Sequence, residues 1–365
     1  MDQKYNLKDS LKSMISLPGV SGHEKPIRDA VREIWAPYVD RFEVSPLGNL
    51  YGIQEGDGGG AGTPRRKIAL ATHMDGIGMV VERISGEMIY FAPIGGFDPR
   101  ILPGQEVLIH SESGPVPGVI VQLAPHLLSQ PYLDKAVPLA DLVIDTGLGV
   151  DGVRAQIQVG DIISYANLPV EMGKDHVAGH SLDNRTSIAA VTECLRTLRR
   201  MRHAFDVIAV GTIQEEVAHY SDTLINDLNP DIAIAIDVTF ASGPGADDYR
   251  TRPLGSGPSI GFGANIHPAL AKSFCDLAEE IDMPFTRDPL PNMSGTDAVA
   301  IQNALGGVMT GVISIPLRYM HTPVEVITMK DVRRAGRLIA EYISRLTEES
   351  FAELKWEDEL DGKNL

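Results

Sequence analysis

Five stretches of this 365-residue sequence hold acids and histidines that could share one chemical task. In chain order, these residues are His73 with Asp75, Asp183, Glu215 with Glu216, Asp237 and His321. Two divalent ions held side by side need one bridging carboxylate, and each ion needs further nitrogen or oxygen ligands. Two aspartates, two histidines and one glutamate supply that set, and the second glutamate is left as a base. The residue types therefore indicate hydrolysis at a pair of metal ions.

The charges of such a centre would also balance. Two divalent ions bring four positive charges, three ligand carboxylates bring three negative charges, and a bridging hydroxide brings the last one. The set contains no cysteine, which favours Zn²⁺, Co²⁺ or Mn²⁺ bound by nitrogen and oxygen. Asp75 lies two residues beyond His73 and faces the same way on an extended chain. We therefore predict that Asp75 accepts the N–H of the imidazole ring and orients it.

Each stretch also has a purely structural interpretation. Taken singly, His73 would be a histidine held in place by a nearby carboxylate, and Asp183 would be a helix cap. The two glutamates would belong to a charged loop, Asp237 would cap the end of a strand, and His321 would be a turn residue. The adjacent Glu215 and Glu216 also need a local bend, because neighbouring side chains of an extended segment point to opposite sides. The shared functional interpretation is favoured because all five stretches are predicted to reach the same edge of one sheet.

Buried parallel strands are predicted next to these residues. Nearly continuous apolar runs, which are typical of strands covered on both faces, span 67–72, 206–213, 231–236 and 307–313. Helical patterns alternate with these runs and span 183–200, 267–282 and 329–347. The alternation predicts an α/β fold with a mostly parallel sheet flanked by helices. Ligands of such sheets bind beyond the carboxyl ends of the strands.

Two further helices are predicted before the first buried strand. The first has apolar residues at Leu7, Leu11, Met14 and Ile15, on one helical face. The second should begin at Ser21-Gly-His-Glu24, because this is a capping-box pattern.

Residues 76–172 follow a different pattern. Glycine and proline separate short β-like stretches, and no convincing amphipathic helix is predicted among them. These stretches are 78–84, 88–91, 106–110, 116–122, 141–145 and 161–165. They predict a small inserted β-barrel or sandwich. The chain is thus divided into a catalytic domain (1–75 and 173–347), an inserted β-barrel domain (76–172) and a solvated acidic tail (348–365).

The composition excludes several classes of partner. Acidic residues outnumber basic ones by 49 to 32, and the net charge of −17 argues against nucleic acid and anionic membrane surfaces. No apolar run approaches the ~18 residues of a membrane span, and no signal peptide is visible. The two cysteines, Cys194 and Cys275, fit a reducing compartment. We therefore expect a cytoplasmic protein without nucleic-acid or membrane partners.

With these motifs, the sequence resembles the M42 family of metallo-aminopeptidases, the group related to the tetrahedral aminopeptidases. The resemblance covers nearly the whole chain, from Pro18 to about Leu346. The motifs that carry it are Thr72-His-Met-Asp75, Ser181-Leu-Asp-Asn-Arg185, Gln214-Glu-Glu-Val217, Asp237-Val-Thr239, Ser294-Gly-Thr-Asp-Ala298 and Ser314-Ile-Pro-Leu-Arg-Tyr-Met-His-Thr-Pro323.

The resemblance implies a role for each residue. His73, Asp183 and Asp237 would bind one metal ion, and Asp183, Glu216 and His321 would bind the other. Glu215 would be the general base that takes a proton from water and passes it to the leaving amine. The substrates would be peptides with a free N-terminus. The inserted domain would build a homo-oligomer, from a dimer up to a dodecamer made of dimers.

The sequence departs from the family pattern at Val217-Ala-His-Tyr-Ser221, at Gly76 and at Ser187. No predicted ligand is lost, but the substrate preference is left open. His219 could be a ligand, although a surface or loop histidine is the preferred interpretation. Arg318 and Tyr319 could border a specificity pocket, and Arg318 could equally pair with a structural carboxylate.

Two rival functions are kept. One is a metal-dependent deacylase or amidase with the same centre, and the other is a non-catalytic assembly protein that retained the fold. Some members of the family are labelled endoglucanases. Glucan cleavage would need a pair of carboxylic acids that flank a sugar, together with aromatic side chains on which the sugar stacks. Only 6% of the residues are aromatic, with 2 tryptophans, so an endoglucanase function is disfavoured.

Overall fold

The computed structural model describes residues 5–59, 64–127, 136–217 and 228–355. Within these ranges, an eight-stranded sheet forms the centre of an α/β domain. In spatial order, its strands are β1 (Arg41–Val44), β2 (Leu50–Gln54), β12 (Asp206–Thr212), β3 (Lys67–His73), β13 (Ile232–Phe240), β16 (Met309–Leu317), β14 (Ser259–Gly263) and β15 (Thr286–Leu290).

The middle of this sheet is parallel and buried. Strands β12, β3, β13 and β16 run in the same direction, so their carboxyl ends lie at one edge. Strand β2 is antiparallel to β12, and β14 is antiparallel to β16, which makes the whole sheet mixed. The predicted mostly parallel α/β sheet is confirmed. Two strands are longer than predicted, because β13 and β16 remain paired as far as Phe240 and Leu317.

Helices cover both faces of the sheet. They are α1 (Leu7–Ile15), α2 (Lys25–Trp35), α4 (Leu182–Leu198), α5 (Pro268–Glu280), α6 (Ala298–Asn303), α7 (Met329–Arg345) and α8 (Glu348–Ala352). Helices α4 and α7 pack closely at Gly336, where a Cβ atom would lie 2.4 Å from the carbonyl oxygen of Ala190. None of the helices in the described ranges has the length and apolar character needed to cross a membrane.

The start of the acidic tail is folded onto the domain. Helix α8 buries Phe351, whose ring lies 6.0 Å from that of Phe205. Residues 348–355 therefore do not form a solvated tail, because Phe351 and Leu354 give the segment an apolar face. Residues 356–365 lie outside the described ranges.

The predicted barrel is confirmed as a closed antiparallel barrel with its own core. In spatial order, its strands are β4 (Gly78–Ser85), β5 (Met88–Ile94), β8 (Val143–Asp145), β7 (Gly114–Val121), β6 (Glu106–Ser111) and β9 (Ile162–Tyr165). Side chains such as Met79, Ile109 and Ile163 fill its interior. The expectation of no helix here is wrong, because α3 (Gly149–Gln156) packs on the barrel. Only Val153 of this helix is buried, so its sequence lacks a periodic apolar face.

A three-stranded sheet joins the end of the insert to the catalytic domain. It consists of β10 (Val170–Met172), β11 (His176–Gly179) and β17 (Glu325–Thr328). All six barrel strands lie between Gly78 and Tyr165, whereas β10 pairs with β11. The predicted domain limits at residues 76 and 172 stay a prediction.

Candidate metal centre

The seven predicted site residues lie together at the carboxyl edge of the parallel strands. His73 is the last residue of β3, and Asp237 lies inside β13, three residues before its end, rather than after it. Glu215 and Glu216 follow β12, His321 follows β16, and Asp183 lies in the first turn of α4. The topology of the sheet thus assembles the site from residues that are far apart in sequence.

Asp183 faces both histidines of the site. Its Oδ1 atom lies 3.2 Å from His73 Nε2, and its Oδ2 atom lies 3.6 Å from His321 Nε2. Two groups of side chains result, one with His73, Asp183 and Asp237 and the other with Asp183, Glu216 and His321. Within each group, the candidate ligand atoms lie within 4.8 Å of one another. Each group could hold a metal ion, and Asp183 belongs to both.

The backbone around Asp183 is not helical, although it lies in the first turn of α4. Its dihedral angles are φ −79° and ψ 104°, and a cis peptide bond joins it to Asn184. The Asn184 side chain donates a hydrogen bond to the carbonyl of Ile236, at 3.0 Å, on the neighbouring strand β13. Ser181 precedes the helix as its N-cap residue. The interpretation of Asp183 as a simple helix cap is therefore wrong.

Buried acids outnumber the cationic side chains of the site. Burial raises the pKa of Glu215 to about 8 and raises that of Asp237 well above its usual range. Hydrogen bonds to Asp183 and Glu216 raise the pKa of His321 to about 11. Burial opposes the ionisation of Asp183, but hydrogen bonds from both histidines outweigh it and lower its pKa to about 2.

This donor set fits divalent cations. A buried carboxylate without a matching positive charge is costly, and a bound cation would remove that cost. Glu216 Oε1 is buried and has no hydrogen-bond partner among the described residues. Imidazole nitrogens and carboxylate oxygens are ligands that Zn²⁺, Co²⁺ and Mn²⁺ accept.

Asp75 holds the loop after β12 in place. Its fully buried carboxylate accepts hydrogen bonds from the backbone N–H groups of Glu215 and Glu216, each at 3.2 Å, and from the Ser21 hydroxyl at 2.6 Å. His73 Nδ1 lies 3.1 Å from the backbone carbonyl oxygen of Asp75 and 3.5 Å from its carboxylate. The nearer acceptor of the imidazole N–H is thus the carbonyl rather than the predicted carboxylate.

A left-handed residue supplies the bend expected beside the two glutamates. Gln214 has φ 59°, and after it both Glu215 and Glu216 face the site. Glu215 Oε2 lies 3.9 Å from His73 Nε2, and Glu216 Oε2 lies 3.3 Å from His321 Nε2. Glu215 is therefore beside the first group of candidate ligands without belonging to it.

Residues 48–338 match the family model described as M42 glutamyl aminopeptidase. The chain belongs to the M42 aminopeptidase family. The resemblance inferred from the sequence is thereby confirmed, and the protein is a hydrolase of the aminopeptidase class. M42 aminopeptidases depend on metal ions, in agreement with the two groups of candidate ligands.

The alignments with known relatives extend over almost the whole of this chain. A lysyl aminopeptidase from Pyrococcus furiosus is 31% identical over 342 residues, which are 92% of this chain and 96% of that protein. An aminopeptidase from the archaeon Desulfurococcus kamchatkensis is 32% identical with a TM-score of 0.88, covering 96% of this chain and 98% of that one. The TET1 peptidase from Pyrococcus horikoshii is 28% identical with a TM-score of 0.80, covering 93% and 100%.

One buried carboxylate of the site was missed by sequence reasoning. Glu325, the first residue of β17, accepts hydrogen bonds from the backbone N–H groups of Asp183, at 3.1 Å, and His321, at 2.9 Å. Its side chain thus joins the backbones of two candidate ligands that come from different elements. The available signal was its position four residues after His321, at the start of an apolar strand.

The loop between β16 and His321 differs from what the sequence suggested. Arg318 Nε donates a hydrogen bond to the carbonyl of Ser242, at 2.5 Å, rather than to a carboxylate. Tyr319 and His321 have φ 60° and 61°, and these two turns direct His321 back toward the sheet. His219 and most of the divergent segment 217–221 lie outside the described ranges.

Proposed function

We propose that the chain is an aminopeptidase that binds two divalent metal ions and uses Glu215 as its general base. The observation that supports this proposal is the position of Asp183, whose two carboxylate oxygens face His73 and His321 separately. In this proposal, His73, Asp183 and Asp237 hold one ion, and Asp183, Glu216 and His321 hold the other. The ions are of the Zn²⁺, Co²⁺ or Mn²⁺ type.

When bound, the two ions would supply Lewis-acid chemistry, which lowers the pKa of water and polarises the scissile carbonyl. Glu215 accepts the proton of the attacking water and passes it to the leaving amine. Its position supports this role, because Glu215 Oε2 lies 3.9 Å from His73 Nε2, beside the candidate ligands, while Glu215 belongs to neither group. Asp75 orients Glu215 through the hydrogen bond from the Glu215 backbone N–H.

The protein is also proposed to act as a homo-oligomer. The Pyrococcus horikoshii TET1 peptidase can assemble into a tetrahedron or a large octahedral shell, and this chain covers its full length. The closed barrel supports such a role as a contact domain, because exposed apolar side chains such as Leu123 and Leu127 lie in the segment that follows its strand β7. Light scattering at micromolar concentration should show more than one chain, and a monomer would contradict this part of the proposal.

The test combines metal analysis with a matched pair of peptides. The protein is stripped with a chelator, reloaded with Zn²⁺, Co²⁺ or Mn²⁺, and given one peptide with a free N-terminus and the same peptide N-acetylated. We expect two metal equivalents per chain, loss of activity on stripping, and release of the first residue from the free peptide only.

The other outcomes separate the rival functions. Equal turnover of both peptides would favour a deacylase or an endopeptidase. A fully active sample with at most one metal equivalent would contradict the two-ion centre. Bound metal without cleavage of either peptide would favour a non-catalytic assembly protein.

A further inference from the structure

A cavity of about 620 Å³ lies beside the candidate metal centre and has no role in the mechanism above. We name it the side cavity, and its walls include Val238, Phe240, Tyr249, Phe262, Leu290 and Met320. Thr239 and Ser314 also line the cavity, and Ser314 on β16 is paired with Asp237 on β13. Side chains two residues apart on a strand, and paired side chains of parallel strands, face the same side of a sheet, so the cavity lies on the same face as Asp237. Met320, which also lines the cavity, directly precedes His321.

The lining of the side cavity is mainly apolar, and part of it is exposed. Phe240 is 58% exposed and Tyr249 is 80% exposed. Large aromatic side chains that face water beside a cavity are typical of surfaces that bind a ligand. An apolar group that enters the cavity would therefore gain contact with both the aliphatic and the aromatic walls.

The charges that line the side cavity are already paired. Asp288 is the one carboxylate among the described residues of its lining. One of its oxygens accepts a hydrogen bond from Arg252 Nη2, at 3.0 Å, and the other accepts one from the Thr239 hydroxyl, at 2.7 Å. Arg250, at the exposed end, pairs with Asp248 at 2.6 Å. The described part of the cavity lining thus offers no unpaired carboxylate to a cationic ligand.

Both Nη atoms of the Arg252 guanidinium are similarly engaged, and its Nε is buried, without a hydrogen-bond partner among the described residues. Its Nη1 atom donates hydrogen bonds to the carbonyls of Tyr249, at 2.8 Å, and Thr251, at 2.9 Å, while Nη2 is bound to Asp288. A carboxylate that approached Arg252 would also meet the negative charge of Asp288. The cavity is therefore unfavourable for acidic side chains as well as for basic ones.

We propose that the side cavity receives the side chain of the substrate's N-terminal residue and selects large uncharged side chains over lysine and glutamate. This proposal rests on the proposed aminopeptidase function, because it assumes that the α-amine and scissile bond lie at the adjacent metal centre. It gives this chain a different preference from that named for its lysyl aminopeptidase relative.

The sharpest comparison is between norleucine and lysine at the N-terminus. The two side chains share a four-carbon stem, and lysine adds an ammonium group, so their difference isolates the effect of charge. Tripeptides X-Ala-Ala with X as norleucine, leucine, lysine or glutamate are compared by kcat/KM. We expect norleucine and leucine to exceed lysine and glutamate by about 10²-fold, because a charged group would be buried without a partner.

A matched pair of variants tests whether the side cavity causes this preference. Phe240→Asp adds a carboxylate to the wall, and Phe240→Asn changes the shape similarly without adding charge. The exposure of Phe240 means that neither change disturbs the core. Relative to Phe240→Asn, Phe240→Asp should raise the ratio of lysine to norleucine turnover by about 3- to 5-fold. Equal ratios in the two variants would contradict the proposal.

Binding of amino-acid amides separates this proposal from the proposed function. Isothermal titration of the metal-loaded protein with L-norleucinamide and L-lysinamide needs no turnover. Tighter binding of norleucinamide supports the side cavity even if no peptide is cleaved, in which case only the aminopeptidase proposal fails. Peptide cleavage with lysine or glutamate preferred, or equal binding of the two amides, would overturn the side-cavity proposal and leave the proposed function standing.

Discussion

The candidate metal centre and the side cavity are neighbours, yet their buried charges are arranged in opposite ways. In the cavity, Asp288 has a hydrogen-bond donor for each oxygen, and its charge is matched by Arg252. In the centre, the carboxylates of Asp183, Glu216 and Asp237 face one another around two histidines. The negative charge in the side cavity is neutralised by the protein itself, whereas the carboxylates of the metal centre need additional positive charge.

This difference shows why the two regions should respond differently to mutation. A paired buried carboxylate stabilises the fold and shapes a pocket, but it does not need a ligand. A cluster of buried carboxylates with too few cationic partners favours the binding of divalent ions. Metal binding is then coupled to the release of protons and to the stability of the fold.

The largest effect is expected from Glu215→Gln. Glu215 lies beside the candidate ligands without belonging to either group, so the variant should keep both metal ions and lose the base. Loss of a general base costs about 10²- to 10⁴-fold in rate. Elemental analysis and kcat for peptide cleavage, measured on the same sample, check both parts of this expectation.

The neighbouring Glu216 provides the matched control. Glu216→Gln should weaken one metal site, because Glu216 Oε2 lies 3.3 Å from His321 Nε2 in the second group. Its activity should recover in part when excess metal is added. If Glu215→Gln loses metal while Glu216→Gln keeps both ions and only slows the reaction, the two roles are exchanged.

A smaller effect is expected from Glu325→Ala. Glu325 accepts hydrogen bonds from the backbones of Asp183 and His321, so its loss should loosen two candidate ligands at once. Loss of such supporting hydrogen bonds typically lowers metal affinity by about 10- to 100-fold. Competition with a chromogenic chelator measures the affinity directly, without an activity assay.

Asp331 offers a matched control for Glu325. It is also a buried carboxylate that accepts two backbone N–H groups, from Gly255 at 2.7 Å and Gly257 at 2.9 Å, but it belongs to neither group of candidate ligands. Asp331→Ala should lower the thermal stability and leave metal affinity unchanged. Equal losses of metal affinity in both variants would mean that Glu325 has only a general structural role.

Much of the fold could be predicted from sequence because its buried strands are continuous apolar runs. The same rule misplaced the end of β13, because Asp237 and Thr239 interrupt the apolar run while the strand continues to Phe240. The barrel strands were predictable from their turn residues. Helix α3 was not, because a helix that buries only Val153 has no apolar period.

The residue types of the site could be predicted, but their supporting contacts could not. Ser21 fits a capping-box pattern, yet its hydroxyl donates a hydrogen bond to Asp75, and the N-cap residue of α2 is Glu24. Glu325 has no motif of its own, because its partners are backbone N–H groups supplied by two distant segments. Contacts of this kind depend on tertiary structure, which a pattern of local spacings does not contain.

The smallest predicted effect concerns the stability of the metal-free protein between pH 5 and 8. Burial raises the pKa of Glu215 from 4.5 to about 8, so the folded chain retains a proton there that the unfolded chain has released. Because the folded state binds more protons in this window, its free energy of unfolding should fall as the pH rises, by at most about 1.4 kcal/mol per pH unit from this group. His321 acts in the same direction above pH 6.5, since Asp183 and Glu216 raise its pKa to about 11.

Metal ions should reverse the sign of this dependence. Metal ligands must be deprotonated, so bound Zn²⁺ stabilises the folded chain more strongly as the pH rises. Urea unfolding at pH 5.5, 6.5 and 7.5, with and without Zn²⁺, measures both slopes, and Glu215→Gln should flatten the metal-free one because its amide does not titrate. A metal-free protein that becomes more stable across this window would show that the buried carboxylates are balanced within the chain, as Asp288 is in the side cavity, and would remove the electrostatic argument for a cation site.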